Sequence, residues 1–140
     1  MDKLLLKNQL CFLLYVASKE IIRKYKEYLD PLDLTYTQYI VMMVLWEENS
    51  INVKHLGERL YLDSGTLTPL LKKLETHEYI SRIRNKDDER NVIISLKEKG
   101  RELNNKATNI PINMCDNLNL DDEEIKTLQN LLYKLFKSEE

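Results

Sequence analysis

Apolar and polar positions in the first thirty residues alternate with a helical period. From about Leu4 to Leu29, apolar side chains recur at spacings of three and four, which predicts one long amphipathic helix. Pro31 ends the pattern, because the residue before a proline is disfavoured in the α conformation. The predicted apolar face consists of Leu10, Leu14, Ala17, Ile21, Tyr25 and Tyr28.

A second apolar segment follows directly and differs in character. Thr35 and Gln38 have the spacing of a capping box, in which each side chain accepts a hydrogen bond from the backbone N–H of the other residue. The stretch "YTQYIVMMVLWEE" is apolar on nearly every side, which predicts a buried central helix. Asn49 and Ser50 end this helix.

Two short amphipathic segments come next, separated by a tight turn. The first runs from Val53 to about Tyr61, and Asp63 or Ser64 then caps a second helix that reaches about His77. Two helices joined in this way form a helix-turn-helix.

Pro69 lies inside the second of these helices, within its first two turns. Its ring removes the N–H that would otherwise bond the carbonyl of Gly65. Because Gly65 has no side chain, the backbone can adjust there. We therefore expect a kinked or 3₁₀-like start to this helix.

β-branched residues dominate two runs after the helix-turn-helix. The runs "ISRIR" and "NVIISL" flank the polar stretch "NKDDER", which predicts a β-hairpin with a charged tip. A two-stranded hairpin is marginally stable alone, so it must pack on the helix pair. Residues 34–100 are therefore predicted to form a winged helix-turn-helix, a DNA-binding region.

The C-terminal part is again helical in pattern. Residues 101 to about 117 are weakly helical with an interruption at Pro111, and Asp121 to Lys137 has the acidic first turn and apolar stripe of a final helix.

Nothing else in the chain covers the apolar faces of the first and last helices, which favours a two-fold homodimer. We expect one mainly α unit with a small β-hairpin wing over residues 1–140. The expected dimerisation segments are residues 1–33 and 101–140.

Composition narrows the class of protein. The chain has 140 residues, 43% of them apolar, which is enough for one domain with its own core. No apolar run reaches the roughly 20 residues of a membrane span, and the N-terminus lacks the pattern of a cleaved leader, so we expect a cytoplasmic protein. Two widely separated cysteines and two isolated histidines predict neither a disulfide framework nor a metal site, and no cofactor is expected.

Charge is unevenly distributed along the chain. The formal net charge of −2 argues by itself against a nucleic-acid partner. Residues 53–101, however, hold 11 Lys and Arg against 8 Asp and Glu. The predicted helix-turn-helix and wing are thus the basic part of the chain.

Three motifs in combination resemble the MarR family of bacterial transcription regulators. They are "VKHLGERLYLDSGTLTPLLKKLETHEYI", the wing "RIRNKDDERNVIISL" and "LKEKGREL". The opening "NQLCFLLY" with "YLDSGTLTPLLKKLE" is similar more narrowly to the organic-hydroperoxide regulator branch, OhrR, and its staphylococcal relatives of the MgrA and SarZ type. The resemblance covers roughly residues 8–137. It implies a homodimeric repressor that binds double-stranded DNA at an inverted-repeat operator and releases it when an organic hydroperoxide oxidises a cysteine.

The residues that match the family's sensor lie mostly on the first helix. At about 100° per residue, Cys11, Tyr15 and Tyr25 share one face, but Tyr25 lies about 21 Å along the axis from Cys11. Two such helices crossing antiparallel in a dimer would bring Tyr25 near the partner's Cys11, and the following turn would add Tyr36. The resemblance implies this arrangement, with tyrosine hydroxyls bonded to the partner's cysteine.

The two cysteines each have more than one interpretation. A thiolate attacks the O–O bond of a peroxide, and the resulting sulfenic acid can be trapped by a second thiol as a disulfide. A cysteine on an apolar helix face is also commonly a small buried hydrophobe, so the pattern alone leaves the role of Cys11 open. Cys115 lies where some members of the branch carry a resolving cysteine, and a buried structural role fits it equally well.

Candidate DNA contacts on the second helix of the helix-turn-helix are hydroxyl and ammonium groups. Ser64, Thr66 and Thr68 can reach base edges and phosphates, and Lys72 and Lys73 can neutralise backbone charge. Each of them is explained nearly as well as a capping or solvated residue.

The wing supplies the remaining candidates. In the family, an arginine at the wing tip enters the minor groove and is held by a neighbouring aspartate. The matching residues here are Arg90 and Asp88. Arg82 and Arg84, on the first strand of the wing, are expected at the DNA backbone.

Three functions are compatible with these residues. The first is a peroxide-sensing repressor, and the second is a ligand-gated MarR-type repressor that responds to a small phenolic or aromatic molecule, with the cysteines incidental. The third is a thiol peroxidase, which would need an Arg and a Thr or Ser close to the cysteine. Because "QLCFLL" supplies neither, we do not expect an enzyme.

Overall fold

The computed structural model describes residues 3–88 and 90–137, so Glu89 at the wing tip lies outside the described residues. The chain separates into two compact units, Met1–Thr108 and Asn109–Glu140. The first unit contains α1 (Leu10–Leu29), α2 (Tyr36–Glu48), β1 (Ser50–Asn52), α3 (Val53–Leu60), α4 (Ser64–Thr76), β2 (Ile80–Arg84), β3 (Val92–Leu96) and α5 (Glu98–Ala107). The second unit contains α6 (Ile110–Asp116) and α7 (Asp122–Phe136).

The helix α1 begins later than the apolar pattern predicts. Gln9 has an extended backbone, with φ −94° and ψ 112°, and it separates α1 from a 3₁₀ turn over Leu6–Asn8. The Gln9 side-chain amide donates to the carbonyls of Lys3 at 2.6 Å and Leu5 at 3.1 Å. These bonds stabilise the extended residue, so the predicted start near Leu4 is wrong.

Burial separates α1 from α2. Leu29 is the only residue of α1 that is buried within the described chain. In α2, the predicted capping box is confirmed: the Gln38 N–H donates to the Thr35 hydroxyl at 3.3 Å, and the Thr35 N–H donates to the Gln38 side chain at 2.9 Å. The apolar side chains of α2 form the centre of the core, as the sequence predicts. They are Tyr39, Val41, Met42, Val44 and Leu45.

The helices α3 and α4 form the predicted helix-turn-helix. Asn52 caps α3 by accepting from the Lys54 N–H at 2.7 Å, and Asp63 caps α4 by accepting from the Thr66 N–H at the same distance. Tyr61 turns the chain between them with a left-handed φ of 57°. The resemblance to the MarR family implies that α4 is the recognition helix.

Pro69 does not change the helix type at the start of α4. The segment is α-helical from Ser64 onward, so the predicted 3₁₀-like start is wrong. The Asp63 cap bonds the first turn, and the Thr68 hydroxyl donates to the Ser64 carbonyl at 2.8 Å. These two bonds stabilise the turn that precedes the proline.

The wing hairpin is confirmed, and a third strand joins it. The sheet has the order β1-β3-β2, with both pairs antiparallel. Ser50 pairs with Ser95, and their hydroxyls lie 2.8 Å apart. The strand β1 was not predicted because a strand of three residues, two of them polar, has no usable alternation. Ile80, Ile94 and Leu96 anchor the sheet in the core.

The second unit contains two helices with mostly exposed apolar side chains. Pro111 lies in the first turn of α6, where its missing N–H costs nothing, so the helical interruption falls at residues 108–109 and not at Pro111. A capping box between Asp121 and Glu124 opens α7, with bonds of 2.8 and 3.0 Å. The exposed apolar side chains of α7 are Leu128, Leu131, Tyr133, Leu135 and Phe136.

Candidate functional site

Two hydroxyls at the start of α4, those of Thr66 and Thr68, form hydrogen bonds within the helix and its cap. The Asp63 carboxylate accepts from the backbone N–H and the side chain of Thr66, and the backbone bond is the main reason why the pKa of Asp63 is lowered. The Thr68 hydroxyl donates to the Ser64 carbonyl. In this conformation Thr66 and Thr68 can therefore offer lone pairs to DNA more readily than hydroxyl protons, whereas Ser64 is exposed at the first position of the helix.

The two sides of α4 meet different surroundings. At about 100° per residue, Ser64, Thr68 and Glu75 lie within about 40° of one another, on the side toward the wing. Lys72 is exposed and lies about 40° from Thr68 around the helix axis. Lys73 is exposed on the opposite side, in a depression of about 270 Å³. That depression is lined by Lys73, His77, Asp30, Asp33, Leu34, Thr35 and Gln38.

Arg82 is paired with the recognition helix. Its Nε and Nη2 both donate to Glu75 Oε1 at 3.2 Å, and 28% of the Arg82 side chain is exposed. The expected contact of Arg82 with the DNA backbone stays a prediction, and in this structure Glu75 matches its guanidinium charge. The pair joins the wing to α4, while Arg84 is exposed on the same strand. Sequence spacing gives no signal for Glu75, because the pair joins a helix to a strand.

The wing tip has the expected pairing of an arginine with an aspartate. Asp88 Oδ1 accepts from the Arg90 backbone N–H at 3.1 Å and lies 3.7 Å from Arg90 Nε. The Arg90 side chain is 97% exposed. An arginine held at its base and free at its end can enter a groove without large rearrangement. A groove of about 640 Å³ between this arginine, α3 and α4 is lined mainly by apolar side chains, including Val53, Leu67 and Val92.

The candidate sensor residues lie at opposite ends of α1. Cys11 is exposed near the start of the helix, and so is Tyr15, whose ring lies 5.7 Å from the Lys19 ammonium. Tyr25 lies in the last part of α1 and is half-buried. One protomer therefore does not bring Cys11 and Tyr25 together. Cys11 is exposed in the single protomer, and both interpretations of it, as a peroxide sensor and as a small buried hydrophobe, stay predictions.

Tyr25 belongs to an aromatic cluster that the sequence analysis did not find in full. Its ring centroid lies 4.8 Å from that of Tyr36 and 5.7 Å from that of Tyr39. Burial raises the pKa of Tyr36, and burial followed by the neighbouring Tyr36 raises the pKa of Tyr39. Both phenols therefore keep their protons and can donate hydrogen bonds at neutral pH.

Trp46 extends this cluster toward α5. Its ring lies 6.3 Å from that of Tyr39 at an edge-on angle of 67°, and its indole N–H donates to the Gly100 carbonyl at 2.9 Å. Tyr39 and Trp46 are seven residues apart, which is two helical turns, so their position on one face of α2 was a signal available in the sequence.

Cys115 lies in α6 of the second unit and is exposed. Its neighbour Met114 is buried, so the helix presents the methionine inward and the cysteine outward. Both interpretations of Cys115, as a resolving cysteine and as a buried structural residue, stay predictions. Among residues 3–88 and 90–137, no group of His, Cys, Asp and Glu is arranged to hold a metal ion, and no helix is long and apolar enough to cross a membrane.

Comparison with known proteins gives matches across nearly the whole chain. The SarA/Rot family of transcriptional regulators matches residues 23–107. The organic hydroperoxide resistance transcriptional regulator of Bacillus subtilis (strain 168) is 47% identical over 137 residues, which cover 98% of this chain and 93% of that protein. The HTH-type transcriptional regulator SarZ of Staphylococcus epidermidis is 50% identical over 135 residues, which cover 94% of this chain and 91% of that protein.

A solved structure agrees with these relatives. Reduced AbfR of Staphylococcus epidermidis, bound to DNA, matches with a TM-score of 0.82 at 32% identity, over 95% of this chain and 91% of that one. The two sequence relatives are transcription regulators, so the thiol peroxidase considered from the sequence is excluded. The winged helix-turn-helix and these matches together establish that the chain belongs to the MarR/SarA-type family of transcription regulators.

Proposed function

We propose that this chain is a homodimeric repressor that senses organic hydroperoxides by oxidation of Cys11 and then releases an inverted-repeat DNA operator. The observation that carries the proposal is the placement of the sensor groups on α1. Cys11 is exposed at one end of this helix, and the Tyr25–Tyr36 pair lies at the other. Two antiparallel copies of α1 complete the site twice, once at each end. The similarity to the hydroperoxide regulator of Bacillus subtilis supports the same function.

The dimer forms through the apolar surfaces that one protomer leaves exposed. On α1 these include Leu10, Leu13 and Ile22, which are 65, 53 and 45% exposed. On α7, five large apolar or aromatic side chains are exposed. A second copy buries both sets, since contiguous apolar surface of this extent is unfavourable in water. Residues 1–33 and 101–140 are the dimerisation segments, and residues 34–100 bind DNA.

Oxidation of Cys11 is a two-electron reaction. The thiolate sulfur attacks the terminal oxygen of the hydroperoxide, the O–O bond breaks, and the alkoxide leaves and takes up a proton as the alcohol. The cysteine becomes a sulfenate, and the hydroperoxide is reduced. Hydroxyls of Tyr15, Tyr25 and Tyr36 donate hydrogen bonds that favour the charged sulfur before attack. The bulk and charge of the product then disturb the tyrosine cluster.

Cys115 resolves the sulfenic acid in a second step. Its thiol condenses with the Cys11 sulfenic acid of the partner subunit, forming an S–S bond and releasing water. A covalent dimer on non-reducing electrophoresis after peroxide treatment, absent in Cys115→Ser, is the expected result. A monomer carrying a small-thiol adduct in the wild type would sink this step and leave the rest of the proposal intact.

DNA binding uses α4 and the wing of each protomer. Ser64, Thr66 and Thr68 contact base edges and phosphates, and Lys72 and Lys73 neutralise phosphates. Arg90, held by Asp88, enters the minor groove, and Arg84 contacts the backbone. Two such DNA-binding regions, related by a two-fold axis, bind half-sites about 10 bp apart. A repressor of this kind acts in the cytoplasm, where bacterial DNA is located.

The test begins with an operator selected from random duplexes by the reduced protein. Its affinity is then measured by fluorescence anisotropy for reduced and cumene-hydroperoxide-treated wild type and Cys11→Ser. We expect oxidation to weaken wild-type binding by more than tenfold and to leave the serine variant unchanged, because a hydroxyl is not oxidised in this way. A variant that responds like wild type moves sensing elsewhere. Release by a phenolic ligand but not by peroxide would establish the ligand-gated alternative.

A further inference from the structure

Tyr79 lies at the junction of the recognition helix and the wing. It follows α4 and directly precedes β2, and it is 6% exposed. Its backbone N–H donates to the Leu74 carbonyl at 3.1 Å, and its own carbonyl accepts from the Lys97 N–H at 3.0 Å. The backbone of Tyr79 is therefore bonded both to the end of α4 and to the residue that follows β3.

The side chain of Tyr79 reaches the turn that follows α1. Its hydroxyl donates to the Leu32 carbonyl at 3.1 Å in a buried hydrogen bond. Leu32 ends the 3₁₀ turn Asp30–Leu32, which continues directly from α1. Burial, followed by the Asp33 carboxylate, raises the pKa of Tyr79, so its hydroxyl keeps the donated proton. The Tyr79 side chain thus joins the turn after α1 to the junction between α4 and β2.

A second contact runs beside this bond. The His77 ring stacks on the Tyr79 ring, with centroids 5.5 Å apart and an interplanar angle of 27°. His77 Nδ1 lies 3.3 Å from Asp33 Oδ2, so the residue after the 3₁₀ turn also meets the end of α4. Asp33 has a left-handed φ of 57°, which gives the turn a defined shape.

A second chain of contacts connects the aromatic cluster to the backbone of Tyr79. Trp46 bonds the Gly100 carbonyl, and Gly100 approaches the Tyr79 carbonyl so closely that a side chain at Gly100 would collide with it. The path from Tyr25 through Tyr39 and Trp46 therefore ends at the backbone of Tyr79. Two independent routes from α1 meet there.

We propose that Tyr79 is the positioning residue that couples oxidation at Cys11 to release of DNA. This inference rests on the proposed function and names the residue that transmits the effect of oxidation to the DNA-binding elements. In the proposed dimer, Cys11 of the partner subunit lies beside Tyr25, so its oxidation displaces the C-terminal end of α1. The Leu32 carbonyl moves with that end, and its hydrogen bond displaces Tyr79. Because the Tyr79 backbone holds α4 and the strands of the wing, both DNA-contacting elements shift together. Close packing transmits such a displacement as a switch between two arrangements.

The test is the ratio of operator dissociation constants between the oxidised and the reduced protein. This ratio is the coupling itself and does not change when a substitution merely lowers stability. Wild type, Tyr79→Phe and the control Tyr133→Phe are titrated with the selected operator before and after cumene hydroperoxide. Cys11 oxidation is followed in the same samples by mass spectrometry. Tyr133→Phe is a matched control because it removes a hydroxyl from α7, outside both routes, and keeps the aromatic ring that the second copy buries.

We expect Tyr79→Phe to bind the operator within threefold of wild type when reduced and to oxidise at the same rate. Its coupling ratio should fall at least tenfold below that of wild type, while Tyr133→Phe keeps the wild-type ratio. If the Tyr79→Phe variant has the coupling ratio of wild type although its Cys11 is fully oxidised, the inference is overturned and the proposed function stands. A wild type that keeps its operator after oxidation of Cys11 overturns both.

If reduced Tyr79→Phe fails to bind DNA, the coupling ratio is measured in a second variant, Asp33→Gly. Asp33→Gly removes the contact with His77 and loosens the turn that holds Leu32, and glycine accepts the left-handed backbone at this position. We expect the coupling ratio of Asp33→Gly to fall as well. A ratio equal to that of wild type in this variant would overturn the proposed role of the junction.

Discussion

The rings of Tyr25 and Tyr36 lie 4.8 Å apart, at an angle of 54°, and join the C-terminal part of α1 to the first turn of α2. One partner comes from the most exposed long helix of the first unit and the other from its most buried helix. A change at the exposed helix therefore reaches the core through an aromatic contact.

Tyr25→Phe should slow the oxidation of Cys11 while leaving the fold intact. The ring contacts with Tyr36 and Tyr39 remain, and only the hydroxyl that we propose donates to the partner's sulfur is lost. A hydrogen bond to a charged group contributes about 1.5 to 3 kcal/mol, which corresponds to a rate reduction of about tenfold or more. Dimedone labelling of the sulfenic acid against time measures the rate.

Tyr39→Phe is the matched control for this measurement. Tyr39 belongs to the same cluster and is 2% exposed, but it has no assigned role at the sulfur. Its oxidation rate should equal that of wild type. Equal slowing in both variants would mean that packing of the cluster, and not the Tyr25 hydroxyl, controls the reaction.

Arg90→Ala should weaken operator binding about tenfold or more with little change in the free energy of unfolding, because the side chain is 97% exposed. Lys86→Ala is the control, since it removes the same charge from the same exposed hairpin. We expect Lys86→Ala to weaken operator and random DNA equally, whereas Arg90→Ala should affect the operator more. Equal loss for both kinds of DNA in Arg90→Ala would contradict a role in minor-groove recognition.

Glu75→Gln should make binding to random DNA stronger and less selective. The substitution removes the charge that Arg82 now matches across 3.2 Å, which frees the guanidinium for a phosphate. One added phosphate contact in each protomer makes two in the dimer, which steepens the salt dependence of the binding constant by about 1.8 in a log–log plot. Titrations at several salt concentrations measure this slope. The double variant Glu75→Gln/Arg82→Ala should return to the wild-type slope, and a slope unchanged in the single variant would refute the pairing.

Tyr39→Phe should also reduce the loss of stability at high pH. The folded-state pKa of Tyr39 is raised above its usual value of 10.0 by burial and then by Tyr36, so its stabilising contribution is complete below pH 10 and disappears as the pH rises through the folded-state value. Phenylalanine cannot ionise, so the variant lacks this dependence of at most about 1.4 kcal/mol per pH unit. Urea unfolding followed by circular dichroism at pH 8 to 11 compares the two proteins. Parallel curves would contradict the assignment.

Local patterns were sufficient for most elements of the fold. The capping box of Thr35 and Gln38, the cap at Asp63 and the charged hairpin depend on residues close in sequence, and the structure contains all three. The start of α1 was misplaced because the Gln9 amide bonds carbonyls that no periodicity represents. The short strand β1 was missed because its pairing with β3 joins residues more than forty positions apart.

Helical period, turn residues and side-chain chemistry are local properties, so they were sufficient to predict the winged helix-turn-helix, the exposed apolar helices and the candidate reactive groups. Which side chains contact one another became evident only from the packing of the helices and strands. This packing paired Arg82 with Glu75, placed Tyr25 against Tyr36, and brought the Tyr79 hydroxyl to the Leu32 carbonyl. Such contacts depend on how helices and strands pack across long separations in sequence, where a small rotation of one helix changes every partner.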